Sequence, residues 1–327
     1  MNSILRILLV FVFLTAAGYA QTANLAVKWY RLAADLGFAD AQQRLGVMYA
    51  NGEGVPKDSA EAAKWLRKAA DQGNAGAQLD LGKMYAAGEG VPKDYLEALK
   101  WYRKAADQGN VYAQNNLGVM YHNGEGVWKD SAEALKWYRL AADQGDGMAQ
   151  FNLGVMYNNG EGVPKDSAEA LKWFHKAADP GNANAQNELG VMYANGEGVP
   201  KDSAEAAKWF HKAADQGHAG AQFDLGFMYH DGTGVPKDYP EAVKWYRKAA
   251  DQGGADAQFN LGVMYANGAG VPKDLVQAHV WWNIAGANGH EDAKKYLAIA
   301  EEGMTDSQKE KAMDLARELF AKIPKGK

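Results

Sequence analysis

The residues able to do chemistry in this sequence recur at a fixed interval, and that recurrence limits what they can do. His175 and His211 stand 36 residues apart and His122 and His230 three such intervals apart. Equivalent residues of stacked units lie about one helix diameter apart, about 10 Å. A metal gathers its ligands at about 2 Å from one ion, and no His-Glu-x-x-His pair occurs. The Gly52-x-Gly54 loop and its copies resemble phosphate cradles only in spelling. Such a cradle follows a strand and opens a helix, whereas these glycines follow helical pattern. Ser59, Ser131, Ser167 and Ser203 lack a lysine three residues on, and no Gly-x-Ser-x-Gly elbow is present. With no Cys there is no thiolate chemistry, disulfide or Cys-based zinc site. Catalysis needs unlike residues converging on one place. Here nearly every ionisable residue is copied from unit to unit, so neither catalytic residues nor a cofactor or metal are expected.

Recognition is the remaining possibility, and the slots that differ between units would carry it. On the first helix of each unit, the face away from the apolar stripe reads Gln43/Arg44, Leu79/Asp80, Asn115/Asn116, Phe151/Asn152, Asn187/Glu188, Phe223/Asp224 and Phe259/Asn260. Two turns later it holds His122/Asn123, Asn158/Asn159 and His230/Asp231. Asparagine amides offer donors and an acceptor to an extended peptide backbone. Phe151, Phe223, Phe227 and Phe259 offer apolar anchors. The candidate binding residues are therefore Asn116, His122, Asn123, Asn152, Asn159, Phe223, His230 and Asp231. The competing reading is that these first helices are sandwiched and their slots simply buried. Glu53, Glu89, Glu125, Glu161 and Glu197 form a loop ladder, read as a solvated turn or as an acidic stripe for a basic partner. Trp128, in a proline slot, and Trp282 could instead stack on sugars.

The elements that position these slots follow from one lattice. Trp occurs at 29, 65, 101, 137, 173, 209, 245 and 281, every step 36 residues, and Gly-x-Met-Tyr recurs seven times in the same register. Such self-similarity marks a repeat architecture. Ala77, Leu81, Met84 and Tyr85 share one face of a first helix; Ala62, Trp65, Leu66, Ala69 and Ala70 share one face of a second. Between them, Gly52 suits a left-handed helix cap, and Asp58 with Glu61 predicts a capping box, repeated at Asp94/Glu97 and four further pairs. Gly46 and its copies sit inside a helix at a cost of about 1 kcal/mol each relative to alanine, which close helix approach would explain. A buried Trp is worth about 4–6 kcal/mol by area, and one hairpin cannot cover its own. Neighbours must do so, giving an all-α, right-handed solenoid of 36-residue helix-turn-helix repeats.

The boundaries follow. Residues 1–20 read as a signal peptide: Arg6, an apolar run from Ile7 to Ala17, and small residues before a cut at Gln21. Residues 21–37 form a half-repeat with a second helix only, 38–289 seven repeats, and 290–327 a degenerate helix and a capping helix beginning at Thr305. The apolar run is short for a membrane span, so no stable span is expected after cleavage. The 327 residues carry 35 Lys+Arg against 40 Asp+Glu, a mild acidity that gives no footprint for nucleic acid. Export without cysteines fits a bacterial periplasm or the outside medium.

The motif Ala-x-Ala-Gln-x-x-Leu-Gly-x-Met-Tyr-x-Asn-Gly-x-Gly-Val-Pro-Lys-Asp, followed by Glu-Ala-x-Lys-Trp-Tyr-Arg-Lys-Ala-Ala, is nearly whole at Ala75–Asp94 and Glu97–Ala106. It closely resembles the Sel-one-like repeat (SLR) family of tetratricopeptide-like αα-hairpins. The resemblance implies a scaffold or adaptor that binds a protein or peptide partner on a concave surface lined by the first helices. Its themes in bacteria include cell-envelope and polysaccharide assembly, so peptidoglycan or polysaccharide machinery is an implied partner. The alternative is a binder of cell-wall glycan or muropeptide, or a β-lactam-active envelope enzyme. The family's cysteine-rich branch, linked to β-lactams, has disulfide staples that this chain lacks.

Overall fold

In the computed structural model, which describes residues 16–323, seventeen helices and no strand are found among the described residues. Helix α1 spans Ala16–Asp35. Seven hairpins follow: α2 and α3 (Ala39–Asn51, Ser59–Asp71), α4 and α5 (Ala75–Ala87, Tyr95–Asp107), α6 and α7 (Val111–Asn123, Ser131–Asp143), α8 and α9 (Gly147–Asn159, Ser167–Ala178), α10 and α11 (Ala183–Asn195, Ser203–Asp215), α12 and α13 (Ala219–Asp231, Tyr239–Asp251), and α14 and α15 (Ala255–Asn267, Leu275–Ala287). Helices α16 (Ala293–Glu302) and α17 (Asp306–Phe320) follow them. The chain divides into two compact units, residues 1–149 with 161–163, and residues 150–160 with 164–327.

In the first unit, each tryptophan of a second helix closes a core made by its own first helix and the preceding second helix. Trp65 joins Val27 and Ala34 of α1 with Leu45 and Met48 of α2. Trp101 joins Ala62, Leu66 and Ala69 of α3 with Leu81 and Met84 of α4. Seven lattice tryptophans, from Trp65 to Trp281, are 2–8% exposed. Trp29 is 65% exposed, because among the described residues no hairpin precedes α1. The eighth indole thus differs from the even burial that the lattice suggests, and for the reason the stacking argument supplies.

The mid-helix glycines face rings. A Cβ on Gly118 would lie 2.5 Å from the Tyr138 ring of the same hairpin, and one on Gly82 2.6 Å from that of Tyr102. The expected close approach is therefore between the first helix's backbone and the side chain that follows each tryptophan. The second loop glycine also has two jobs. Gly90 has φ +70°, and a Cβ there would stand 2.1 Å from the Ser59 carbonyl of the hairpin before. These glycines serve packing between hairpins.

Two expectations about helix ends need correction. Asp58 caps α3 by accepting from the Glu61 N–H at 2.9 Å, but the reciprocal half of the predicted capping box is absent. The Asp58 N–H donates instead to the Tyr49 carbonyl at 2.9 Å, tying the second helix to the end of the first. The Glu61 carboxylate is taken by the Trp65 indole N–H at 3.0 Å and by Lys64. A full box forms at Thr305 and Gln308, where α17 begins. The degenerate helix begins at Ala293 rather than His290, whose N–H still bonds the Ala285 carbonyl at the end of α15.

Helix α1 starts five residues before the expected half-repeat, with no proline between Ala16 and Gln21. The expected signal cut lies inside this helix, while Met1–Thr15 and most of the apolar run lie outside the described residues. No helix among the described residues is long and apolar enough to cross a membrane.

Candidate binding face on the first helices

Neighbouring second helices hold both the start and the end of each first helix. A buried glutamine anchors the start: Gln78 donates to the Ala70 carbonyl at 3.1 Å and accepts from Gln108 at 2.7 Å. The tyrosine near the end is held by the preceding second helix. Arg103 donates to the Tyr121 hydroxyl at 2.6 Å and lies 4.8 Å over the Trp137 ring. In the second unit His175 and His211 take that arginine's place. Each contacts a tyrosine hydroxyl (Tyr193 at 3.4 Å, Tyr229 at 3.0 Å) and stands edge-on to Trp209 or Trp245. Burial lowers the His175 pKa, favouring the neutral ring. These histidines belong to the frame, and among the described residues no three His, Asp or Glu lie close enough to hold a metal ion.

In the first unit, Asn116 is half-buried and hydrogen-bonds the Tyr102 hydroxyl. His122 Nδ1 stands 3.5 Å from the Glu161 carboxylate, and Asn123 is exposed at the end of α6. In the second unit, Asn152 is half-buried and Asn159 exposed. Helix α12 brings three candidates onto one stretch. Phe223 packs on Tyr246 at 5.9 Å, His230 lies 5.5 Å from the Tyr239 ring, and the exposed Asp231 accepts from Thr233 at 2.6 Å.

The phenylalanines divide into two kinds. Phe151, Phe223 and Phe259 rest on Phe174, Tyr246 and Trp282 of their own hairpins, whereas Phe227 is 50% exposed. Phe227 is therefore an available anchor that its burying neighbours are not. The sugar-stacking expectation for Trp282 fails: it is 3% exposed, and its indole donates to the Phe259 carbonyl at 3.1 Å. The ring fills the space beside Gly262 that other hairpins give to tyrosine, phenylalanine or leucine. Trp128 is 95% exposed.

With these slots in view, comparison with known proteins gives the frame its name. The sequence model of the Sel1 repeat matches at residues 22–38, 39–74, 75–110, 111–146, 147–182, 183–218, 219–254 and 255–290. The chain belongs to the Sel1 repeat family. Its fold is an all-α solenoid of 36-residue repeats. Among solved structures, this Sel1 chain is similar to a Sel1 repeat protein from Oxalobacter formigenes, at 41% identity and a TM-score of 0.71, covering 85% of this chain and 81% of that one. It is also similar to a protective antigen of uropathogenic Escherichia coli that displays an SLR fold, at 35% identity and a TM-score of 0.46, covering 91% and 80%. A search of curated proteins finds no match.

One pair of slots was not singled out by sequence reasoning. Asp80 and Asp224 occupy the same position in different Sel1 repeats, and burial raises the pKa of both. Asp80 has compensation within the chain: Gln43 donates to it at 3.2 Å, and the Lys83 charge favours its ionised form. At Asp224 the equivalent residues are Asn187 and Phe227. The asparagine, one methylene shorter than Gln43, hydrogen-bonds Glu188 instead, and phenylalanine brings no charge. Asp224 has no donor or cation among the described residues, and burial alone pushes its carboxyl up to about 6. Well below pH 4 the folded and unfolded chains are both protonated at this residue. Between about pH 4 and 6 the folded chain still holds a proton that the unfolded chain has lost, so stability falls across that window and levels off above it. Asp224→Asn is therefore expected to be about 1–2 kcal/mol more stable than the parent at about pH 8 and equal to it at about pH 3. Urea unfolding at the two pH values checks this.

Proposed function

We propose that this Sel1 chain is a non-catalytic scaffold that binds a protein or peptide partner along the outward slots of its first helices. It acts after export, in the periplasm or outside the cell, in envelope or extracellular assembly. The observation that carries the reading is where the repeats differ. Caps, buried glutamines, tryptophans and ring-facing glycines recur as a frame, whereas the outward slots of the first helices change from hairpin to hairpin. A constant frame with one variable face is suited to recognition of one partner rather than to chemistry. Membership of the Sel1 family and the apolar N-terminal run support the scaffold role and export respectively.

Panning a random-peptide library against the full chain tests the reading. The parent is expected to enrich a common motif. A variant with Asn116, Asn152, Asn159 and His230 all changed to alanine should lose that enrichment while keeping its helicity. A library that enriches nothing, or binds the variant equally, would overturn it. A second reading, glycan binding, rests on the bare Trp128 ring. Sedimentation with peptidoglycan that Trp128→Ala abolishes would favour it, and turnover of a chromogenic β-lactam would end the non-catalytic view.

A further inference from the structure

Between α10 and α12 of the second unit lies an open cavity of about 260 Å³. Val191, Phe210, Phe227 and Met228 supply its apolar lining, with Asp224 on its wall and Lys201 among its lining residues. The volume falls just below the range for whole small-molecule ligands and suits one long side chain. Three observations bear on Asp224 and its surroundings. The carboxylate of Asp224 has lost both partners that Asp80 keeps in the equivalent slot. Phe227 stands half-exposed where five of the other six hairpins carry valine and the sixth Lys83. The Asn187 Oδ1, in the slot from which Gln43 serves Asp80, is buried and unpartnered.

We propose that this cavity receives a lysine or arginine side chain from an extended partner peptide, its cationic head on Asp224 and its alkyl stem between Phe227 and Val191. The proposal rests on the peptide-binding reading above and specifies the partner's chemistry. A desolvated carboxylate without a cation is held at a disadvantage, and a cation from outside restores what the repeat withholds. The long stem of lysine or arginine packs on aromatic surface while its head seeks charge. Charge around the cavity agrees. Asp224 and Asp231 both bear on the buried Tyr246 hydroxyl, and Glu188 lies one turn before Val191 on α10, against the single cation Lys201. Lys201 makes no ion pair with Asp224, so the carboxylate is open to an incoming head group.

The test uses peptides enriched on the full chain by panning, each synthesised with its basic residue or with norleucine in that place. The parent is expected to share a Lys or Arg motif and to bind the basic peptide at least about tenfold more tightly than the norleucine form. Asp224→Asn should bind both forms alike. Phe227→Val should weaken both while keeping the preference for the cation. Enriched peptides without a basic residue, or a preference that persists in Asp224→Asn, would overturn the inference and leave the peptide-binding reading standing. Absence of any enrichment would overturn both.

Discussion

Gly118→Leu is expected to lower the stability of the chain by about 3 kcal/mol, although helix propensity alone predicts the opposite. Leucine is favoured over glycine inside a helix by about 0.8 kcal/mol, so on an uncrowded helix face the substitution should stabilise. The sign therefore reports the packing. A Cβ at 118 meets the Tyr138 ring at 2.5 Å, and that ring belongs to a residue only 3% exposed, with no room to retreat. Either the ring turns off its preferred rotamer or α6 and α7 separate, and both disturb the core that Trp137 closes. Urea unfolding followed by circular dichroism reads the difference. A midpoint equal to or above the parent's would mean that the first and second helices of a hairpin are not in close contact at this glycine.

Much of the frame was legible because a repeat states its own rules several times. The spacing of Trp65, Trp101 and their copies located the second helices, and Gly52 and Asp58 marked where one helix ends and the next begins. The capping box was half right. The carboxylate of Glu61 has two possible partners, and the indole N–H one turn further on outcompetes a backbone N–H already engaged by Tyr49. That choice depends on the path of the loop, which residue types do not reveal. The buried glutamines were visible as a motif letter but not as a device, because Gln108 reaches Gln78 across 30 positions of sequence. The candidate face was less legible. Pattern placed Phe223 and Phe227 together, yet one rests on Tyr246 and the other meets solvent. A difference of four positions on one helix turned on which ring the second helix presents. Asp224 was passed over because its significance lies in what its neighbours lack, and that appears only beside Asp80.

Each hairpin's tryptophan is buried by a core to which the preceding second helix contributes. Trp29 and Trp101 occupy the same slot of different repeats: Trp101 has a first helix of its own and a preceding second helix, and among the described residues Trp29 has neither. Trp101 is 2% exposed and closes the core of α3 and α4. Its loss leaves a cavity too large to refill, with an expected destabilisation of about 3–5 kcal/mol for Trp101→Ala. Trp29 is 65% exposed, with no helix before α1 among the described residues, and Trp29→Ala is expected to change stability by less than about 1 kcal/mol. The two variants keep identical charge and nearly identical helix content, so the comparison separates the cover given by neighbouring helices from the intrinsic preference of the slot. Urea unfolding of both variants beside the parent is the most direct measurement. A large loss at 101 with almost none at 29 is the predicted result; equal losses at the two positions would mean that tryptophan stabilises its own helix and that cover by neighbouring helices contributes nothing.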